Sequence, residues 1–276
     1  KNINYALTLV HMKNVGLIPC RLESTRLPNK PIELIQGIPM FAHVYLRSKL
    51  SKLDEIYICT DSEEIVDLGN KFEIKSVLTS KDHLNGTTRC AEAAKTLELD
   101  ESDIVIDIQG DEPLLDPKDI DKMINFFDIK MHEIVLGYLK TTDENNKNIV
   151  KLVTNDEDKV LYFSRYDIPM NFKKERTLKK QVGLVGFKNK SLQAFCDIKS
   201  NVFEETEGIE LLRVIGANIN LHGVELEFEN RSVDTPEDLE FVRNAIITDQ
   251  LFHKYKHKVK SWKMYLLQEV SLHYFS

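Results

Sequence analysis

The chain of 276 residues lacks a glycine-rich phosphate loop: neither G-x-x-x-x-G-K nor G-x-G-x-x-G occurs, and glycine is sparse at 11 residues. Any phosphate must therefore be held by side-chain charge and by a differently presented backbone. Cysteine is also scarce. Cys20, Cys59, Cys90 and Cys196 form no C-x-x-C pair and have no histidine at ligand spacing, which argues against a zinc site and a disulfide framework and for reduced thiols in a cytoplasm. No apolar run is long enough to cross a bilayer. The mildly apolar stretch at residues 5–10 lacks the core and cleavage site of a signal peptide, so no membrane partner is expected. The formal net charge of −7 argues against nonspecific nucleic-acid binding, while a local basic funnel for a small polyanion stays compatible with it. Internal repeats and low-complexity runs are absent. Residues 1–14 read as an extension, and residues 249–276, which mix Lys, His, Trp262 and Tyr at no clean period, read as a C-terminal helix or tail.

What is present is an alternation of apolar strands and helical patterns. Strands are predicted at 15–18, 55–59, 74–78, 104–108 and 134–139, with helices at 41–50, 62–71, 88–97 and 120–127 between them. This order implies right-handed βαβ units around a mainly parallel sheet, in one large domain over residues 15–248. The pattern changes at Lys151. Two strands joined by a polar turn (151–164) and a glycine-containing strand (181–188) predict a small antiparallel addition at about residues 150–190. Residues 204–215 read as helical and 219–227 as a last strand returning to the sheet.

Chemistry-bearing residues cluster at predicted strand ends, where α/β folds hold ligands. The strand at 15–18 feeds Arg21-Leu-Glu-Ser24-Thr-Arg26-Leu-Pro-Asn-Lys30-Pro31, which delivers three cations and backbone N–H groups to the sheet edge. Thr60-Asp61 follows the next strand. The strand at 104–108 runs through Gln109 into Gly110-Asp111-Glu112-Pro113, placing Asp111 where a carboxylate can hold Mg²⁺. Asp234 precedes a helix in Val233-Asp234-Thr-Pro236-Glu237. It reads as the N-cap of that helix, with Pro236 near the first position, and also as a second metal ligand, since capping uses only part of a carboxylate's acceptor capacity.

Arg21-x-x-Ser24-x-Arg26-x-Pro-x-Lys30-Pro31, Thr60-Asp61, His83-x-Asn85-Gly86-Thr87-x-Arg89, Gln109-Gly-Asp111-Glu-Pro113, Leu161-Tyr-Phe-Ser-Arg165-x-x-Ile-Pro169 and Val233-Asp234-Thr-Pro-Glu-Asp-Leu together resemble the 3-deoxy-manno-octulosonate (Kdo) cytidylyltransferases. The likeness covers about residues 15–245. It implies a doubly wound, Rossmann-like nucleotidyltransferase sheet whose antiparallel lobe builds a homodimer. It also implies an enzyme that joins CTP to an acidic eight-carbon sugar, giving a CMP-sugar for lipopolysaccharide or capsule.

Residue by residue, the resemblance assigns Arg21, Arg26, Lys30, Asp111 and Asp234 to catalysis. Nucleotide binding falls to Arg21, Ser24, Arg26, Lys30, Thr60, Asp61, Asn85, Gly86, Thr87, Arg89 and Asp111. Asp111 and Asp234 would share the Mg²⁺, and Gln109, Arg165, Gln181 and Glu210 would face the sugar. An alternative for Arg165 is a salt bridge to Asp167 or Glu157, and His83 is expected to be structural. The chain departs from the family pattern at Gln181, where a His is usual, at Asn85 in place of Ser and at Thr88 in place of Glu. These departures bear on which sugar acid is used. Another sugar acid such as a nonulosonate is the first alternative, followed by a sugar-1-phosphate nucleotidyltransferase and a non-catalytic nucleotide-binding protein.

Overall fold

The computed structural model describes residues 12–23, 26–130 and 132–257, and for residues 128–130 the backbone only. The extension at 1–11, Ser24 and the tail at 258–276 lie outside the described residues. In chain order the strands are β1 (Asn14–Cys20), β2 (Leu34–Ile35), β3 (Ile38–Pro39), β4 (Glu55–Thr60), β5 (Ser76–Leu78), β6 (Ile104–Ile108), β7 (Ile134–Thr141), β8 (Lys151–Thr154), β9 (Val160–Ser164), β10 (Leu178–Lys188) and β11 (His222–Glu225). The helices are α1 (Met40–Ser48), α2 (Glu63–Lys71), α3 (Gly86–Thr96), α4 (Pro117–Lys130), α5 (Asn189–Asp197), α6 (Val202–Glu207), α7 (Leu212–Gly216), α8 (Pro236–Ala245) and α9 (Phe252–Tyr255).

Among the described residues one large sheet runs β11-β7-β10-β6-β1-β4-β5. β1 pairs in parallel with β4 and β6, β4 with β5, and β11 with β7, so the expected parallel frame is present. β10 is the exception, antiparallel to both β6 and β7. Its far end also pairs with β8, and β8 pairs with β9. Among the described residues the antiparallel addition is thus an outgrowth of the main sheet through β10. A two-stranded β2-β3 hairpin leads into α1.

The period-2 alternation of buried strands assigns their side chains to two apolar layers. Ile104, Ile106 and Ile108 of β6 pack with Phe41, Val44, Met123 and Val242. Val105, on the other face, packs with Val15, Leu17, Ala91, Ala94, Phe163, Phe187 and Phe195. Truncating a fully buried phenylalanine here to Ala costs about 3–5 kcal/mol. Asp107 shares the Val105 face and is almost wholly buried, an acid inside an apolar layer.

Three expected elements differ in extent. The helix predicted over 204–215 is broken at Gly208, which caps α6 in the left-handed conformation (φ 63°), and resumes as α7. The last strand is short, and Leu226 leaves β11 still hydrogen-bonded to Tyr138. α3 starts two residues earlier than its apolar pattern because Asn85 caps it, accepting from the Thr88 N–H at 2.9 Å. That cap brings Gly86 and Thr87 into the first turn, beside the C-terminal end of β1. Residues 249–257 join the body: Asp249 pairs with the buried Arg47 at 3.0 Å, and Phe252 and Tyr255 are buried against α1.

Candidate active site

A cavity of about 640 Å³ opens at the C-terminal ends of β1 and β6. Arg21, Arg26, Lys30, Asn85, Gly86, Arg89, Gln109, Asp111 and Asp234 all line it. At its centre the Lys30 ammonium bridges two carboxylates, 2.7 Å from Asp111 Oδ2 and 3.2 Å from Asp234 Oδ1. Arg26 adds a contact of 3.0 Å to Asp234. Burial works against the charge on Lys30, but the two acids outweigh it and its pKa is raised. The cluster sits in a turn-rich segment, where Asn29 takes the left-handed conformation (φ 56°) and Pro31 is the second residue of a short 3-10 turn at Lys30–Ile32.

Asp111 and Asp234 lie 123 residues apart in sequence, and two local devices fix them together. The Val233 N–H donates to the Asp111 carbonyl at 2.9 Å. Next to Asp111, the buried Glu112 carboxylate accepts from the Gly183 N–H and the Ser232 hydroxyl, each at 3.1 Å, and from Asn230 Nδ2. Burial and the neighbouring Asp111 push the Glu112 pKa up to about 7. Glu112 went unassigned from sequence, although its place between Asp111 and Pro113 marks a charged group in a tight turn.

The N-cap reading of Asp234 is corrected by the geometry. Thr235 caps α8, accepting from the Asp238 N–H at 3.2 Å, and Asp238 returns the bond to the Thr235 N–H at 3.0 Å, completing a capping box. Pro236 takes the first position as expected. The Asp234 carboxylate is left to the cavity and its cations.

Beyond this centre, several predicted residues support the walls. Arg89 reaches the cavity edge, but its guanidinium is engaged by Asp61 at 2.9 Å, Thr79 at 2.7 Å and the Ser80 carbonyl at 3.2 Å. Asp61 therefore positions Arg89, and the buried Thr60 turns the chain by accepting from the Ser62 N–H. A Cβ on Gly86 would lie 2.9 Å from Pro19 Cγ, and one on Gly110 2.6 Å from Cys20 Sγ and 2.9 Å from the Pro19 carbonyl. Both approaches require glycine. His83 lines the cavity but is held between the Thr88 hydroxyl at 3.1 Å and the Glu92 carboxylate, in keeping with a structural role.

The predicted sugar residues are not gathered in the same way. Gln109 lines the cavity and donates to Asp107 at 3.0 Å. Gln181 lies on β10 at a register shift, and its buried side-chain oxygen has no hydrogen-bond partner among the described residues. Glu210 lies behind the wall, bonded to Thr87 at 3.2 Å. Arg165 does not reach the cavity: its guanidinium donates to the carbonyls of Glu207 at 2.9 Å, Lys147 at 3.1 Å and Gly208 at 3.3 Å, tying the end of β9 to α6. Neither Asp167 nor Glu157 pairs with it, since Asp167 is taken by Lys151 at 3.2 Å. The reason is the helix break at Gly208, which exposes carbonyls that a guanidinium fork satisfies.

The oxygen-only donor pair of Asp111 and Asp234 suits a hard cation, with other positions left to phosphate oxygens and water. Among the described residues no group of three or more His, Cys, Asp or Glu is arranged to hold a metal by protein ligands alone.

A family model described as Cytidylyltransferase matches residues 15–221. The 3-deoxy-manno-octulosonate cytidylyltransferase of Nitratiruptor sp. is 39% identical over 229 residues, spanning 81% of this chain and 95% of that protein. The chain belongs to the 3-deoxy-manno-octulosonate cytidylyltransferase family. The 8-amino-3,8-dideoxy-manno-octulosonate cytidylyltransferase of Shewanella piezotolerans is also similar, 36% identical over 240 residues, with 84% of this chain and 98% of that one covered. A solved structure of CMP:2-keto-3-deoxy-manno-octonic acid synthetase complexed with CTP superposes with a TM-score of 0.81 at 32% identity, covering 85% of this chain and 98% of the other. This nucleotidyltransferase therefore shares its fold with that synthetase along most of both chains.

Proposed function

We propose that this enzyme transfers the cytidylyl group of CTP to a 3-deoxy-ulosonic acid, Kdo or a modified Kdo, releasing pyrophosphate. The observation that carries the reading is the convergence of Lys30, Arg26, Asp111 and Asp234 at one cavity in a chain of this family. In the reaction the anomeric 2-hydroxyl of the sugar attacks the α-phosphorus. A new O–P bond forms, the bond to the β-phosphate oxygen breaks, and the hydroxyl proton is released to solvent or to the pyrophosphate. Both substrates are anions, so positioning and charge neutralisation must supply most of the catalysis.

Arg21, Arg26 and Lys30 are suited to hold the triphosphate and to stabilise charge on the departing pyrophosphate. Asp111 and Asp234 would hold Mg²⁺, which when bound supplies neutralisation and orientation of phosphate oxygens. The backbone around Asn85 and Gly86 faces the cavity and offers donors and acceptors for a pyrimidine edge. Free thiols and a CTP substrate fit a cytoplasmic enzyme feeding lipopolysaccharide or capsule synthesis.

We also propose a homodimer through the β8–β9 region. Its support is a set of large apolar side chains in and around the loop after β9, with Tyr166 68%, Met170 79% and Phe172 79% exposed. Sedimentation of the enzyme and of a Met170→Lys, Phe172→Lys variant is expected to give a dimer and a monomer, respectively.

Pyrophosphate release with Mg²⁺ tests the reaction across CTP, UTP, ATP and GTP and across Kdo, its 8-amino analogue and sialic acid. CTP with an eight-carbon acid should be fastest, with CTP preferred more than about tenfold, the scale of one unpaired buried polar group. Equal rates with UTP, or sialic acid turned over as fast as Kdo, would overturn the assignment.

A further inference from the structure

The wall behind the cavity contains two acids that the reaction scheme leaves unused. Asp107 projects from β6 into the apolar layer and is 1% exposed. Its Oδ1 accepts from Gln109 Nε2 at 3.0 Å, and its Oδ2 lies 3.1 Å from Thr87 Oγ1. The same Thr87 oxygen lies 3.2 Å from Glu210 Oε2. Thr87 is buried and owns a single hydroxyl hydrogen. With both acids ionised, one of its two contacts would set oxygen against oxygen with no hydrogen between them. A proton on one acid restores the count: that carboxyl donates to Thr87, and Thr87 donates to the other.

Resting on the proposed sugar-acid reaction, we propose that Asp107 and Glu210 are positioning residues that hold one proton between them across Thr87. This shared proton fixes Gln109 and the first turn of α3 against the cavity. The surrounding charges leave the pair short of compensation. Asp107 faces Gln109, Thr87, Glu210 and the Cys90 thiol, which also hydrogen-bonds the free Cys59 thiol, and no cation pairs with it among the described residues. Glu210 faces Asn85, Glu204, the Cys196 thiol of α5 and Arg213; Arg213 stands 4.0 Å away and is already held by Glu204 at 2.8 Å. Burial, then Glu210, pushes Asp107 up to about 7, and burial pushes Glu210 up to about 7 against the pull of Arg213. Above neutral pH the proton leaves, two anions face each other across one hydroxyl, and the wall carrying Gln109 loosens.

The test compares pH profiles of kcat/KM for the sugar acid, from pH 6 to 9, in the enzyme and in Asp107→Asn. The asparagine amide supplies a hydrogen to Thr87 at every pH, and its carbonyl still accepts from Gln109. The alkaline fall seen in the enzyme should move up by at least about one pH unit in the variant. Asp107→Leu, which removes the anchor altogether, should lower kcat/KM about tenfold at every pH, mostly through KM. Thermal melting needs no substrate and separates this proposal from the reaction assignment: the gain of Asp107→Asn over the enzyme should grow from pH 5 to pH 8. Superimposable alkaline limbs, or a melting difference that is independent of pH, would overturn the shared proton.

Discussion

At the charged end of the cavity, Arg26, Lys30, Asp111 and Asp234 meet as opposite charges at a partly open surface. On the opposite wall, Asp107, Thr87 and Glu210 meet inside the sheet layer as two acids with one hydroxyl between them. The first arrangement is stable because each charge has a partner. The second is stable only while it keeps a proton. One side is therefore a charge clamp whose failure should appear in turnover, and the other a braced wall whose failure should appear in sugar binding, pH dependence and folding.

The largest expected effect is at the clamp. Asp111→Asn and Asp234→Asn should each cut kcat by roughly a hundredfold or more, the scale of losing a charged ligand at a phosphoryl-transfer centre. Their melting temperatures should stay near that of the enzyme. Normal turnover with a lowered melting temperature would return Asp234 to a structural role.

Arg165→Ala should act in the opposite sense. Losing a guanidinium that satisfies three carbonyls should cost about 1–3 kcal/mol in denaturant unfolding, with the sugar KM changed little. A tenfold rise in KM at unchanged stability would place Arg165 in the sugar site after all. Thr235→Ala should cost about 1 kcal/mol by removing the α8 cap, again measured by unfolding. A loss of turnover in that variant far beyond its loss of stability would blur the division between clamp and scaffold.

Stability should also depend on pH in a defined window. Burial holds Asp107, Glu112 and Glu210 up to about 7, above the usual values of 3.8 and 4.5, with Asp107 and Glu210 sharing a single proton. Between about pH 4 and 7 these acids bind more protons in the folded state than in the unfolded one and outnumber the buried His43, which burial lowers to about 4 and which acts in the opposite sense, so stability falls as pH rises through that range. Glu55, lowered to about 2 by Tyr57 and by Lys13, acts only below it. Denaturant midpoints at pH 5 should exceed those at pH 8; the reverse order would contradict the buried acids.

The clamp was legible in the sequence because its residues sit in compact, turn-terminated motifs directly after apolar strands, as Lys30-Pro31 and Gly110-Asp111 do. The parallel frame was legible for the same reason, since strand and helix periods alternate cleanly up to residue 139. The braced wall was not. Glu210 reaches Thr87 across 123 residues of chain, and Arg165 is redirected by a helix break at Gly208 that apolar spacing does not announce. The signal available for Asp107 was its interruption of the run Ile104–Ile108, on the face shared with Val105. Gln181→His is expected to give the smallest effect, a change of a few-fold to tenfold in kcat/KM between Kdo and its analogues, the range of one hydrogen bond. An unchanged ratio would exclude Gln181 from sugar recognition.

The central claim is that Asp111 and Asp234 act as one clamp on a cytidylyl transfer, and a double-mutant cycle tests it most directly. Pyrophosphate release from CTP and Kdo would be measured for the enzyme, both single Asn variants and the double variant at matched Mg²⁺. Residues serving one shared ion should be strongly non-additive, with the double variant little slower than the worse single one. Multiplicative losses, with each single variant keeping its own normal Mg²⁺ dependence, would contradict a shared clamp.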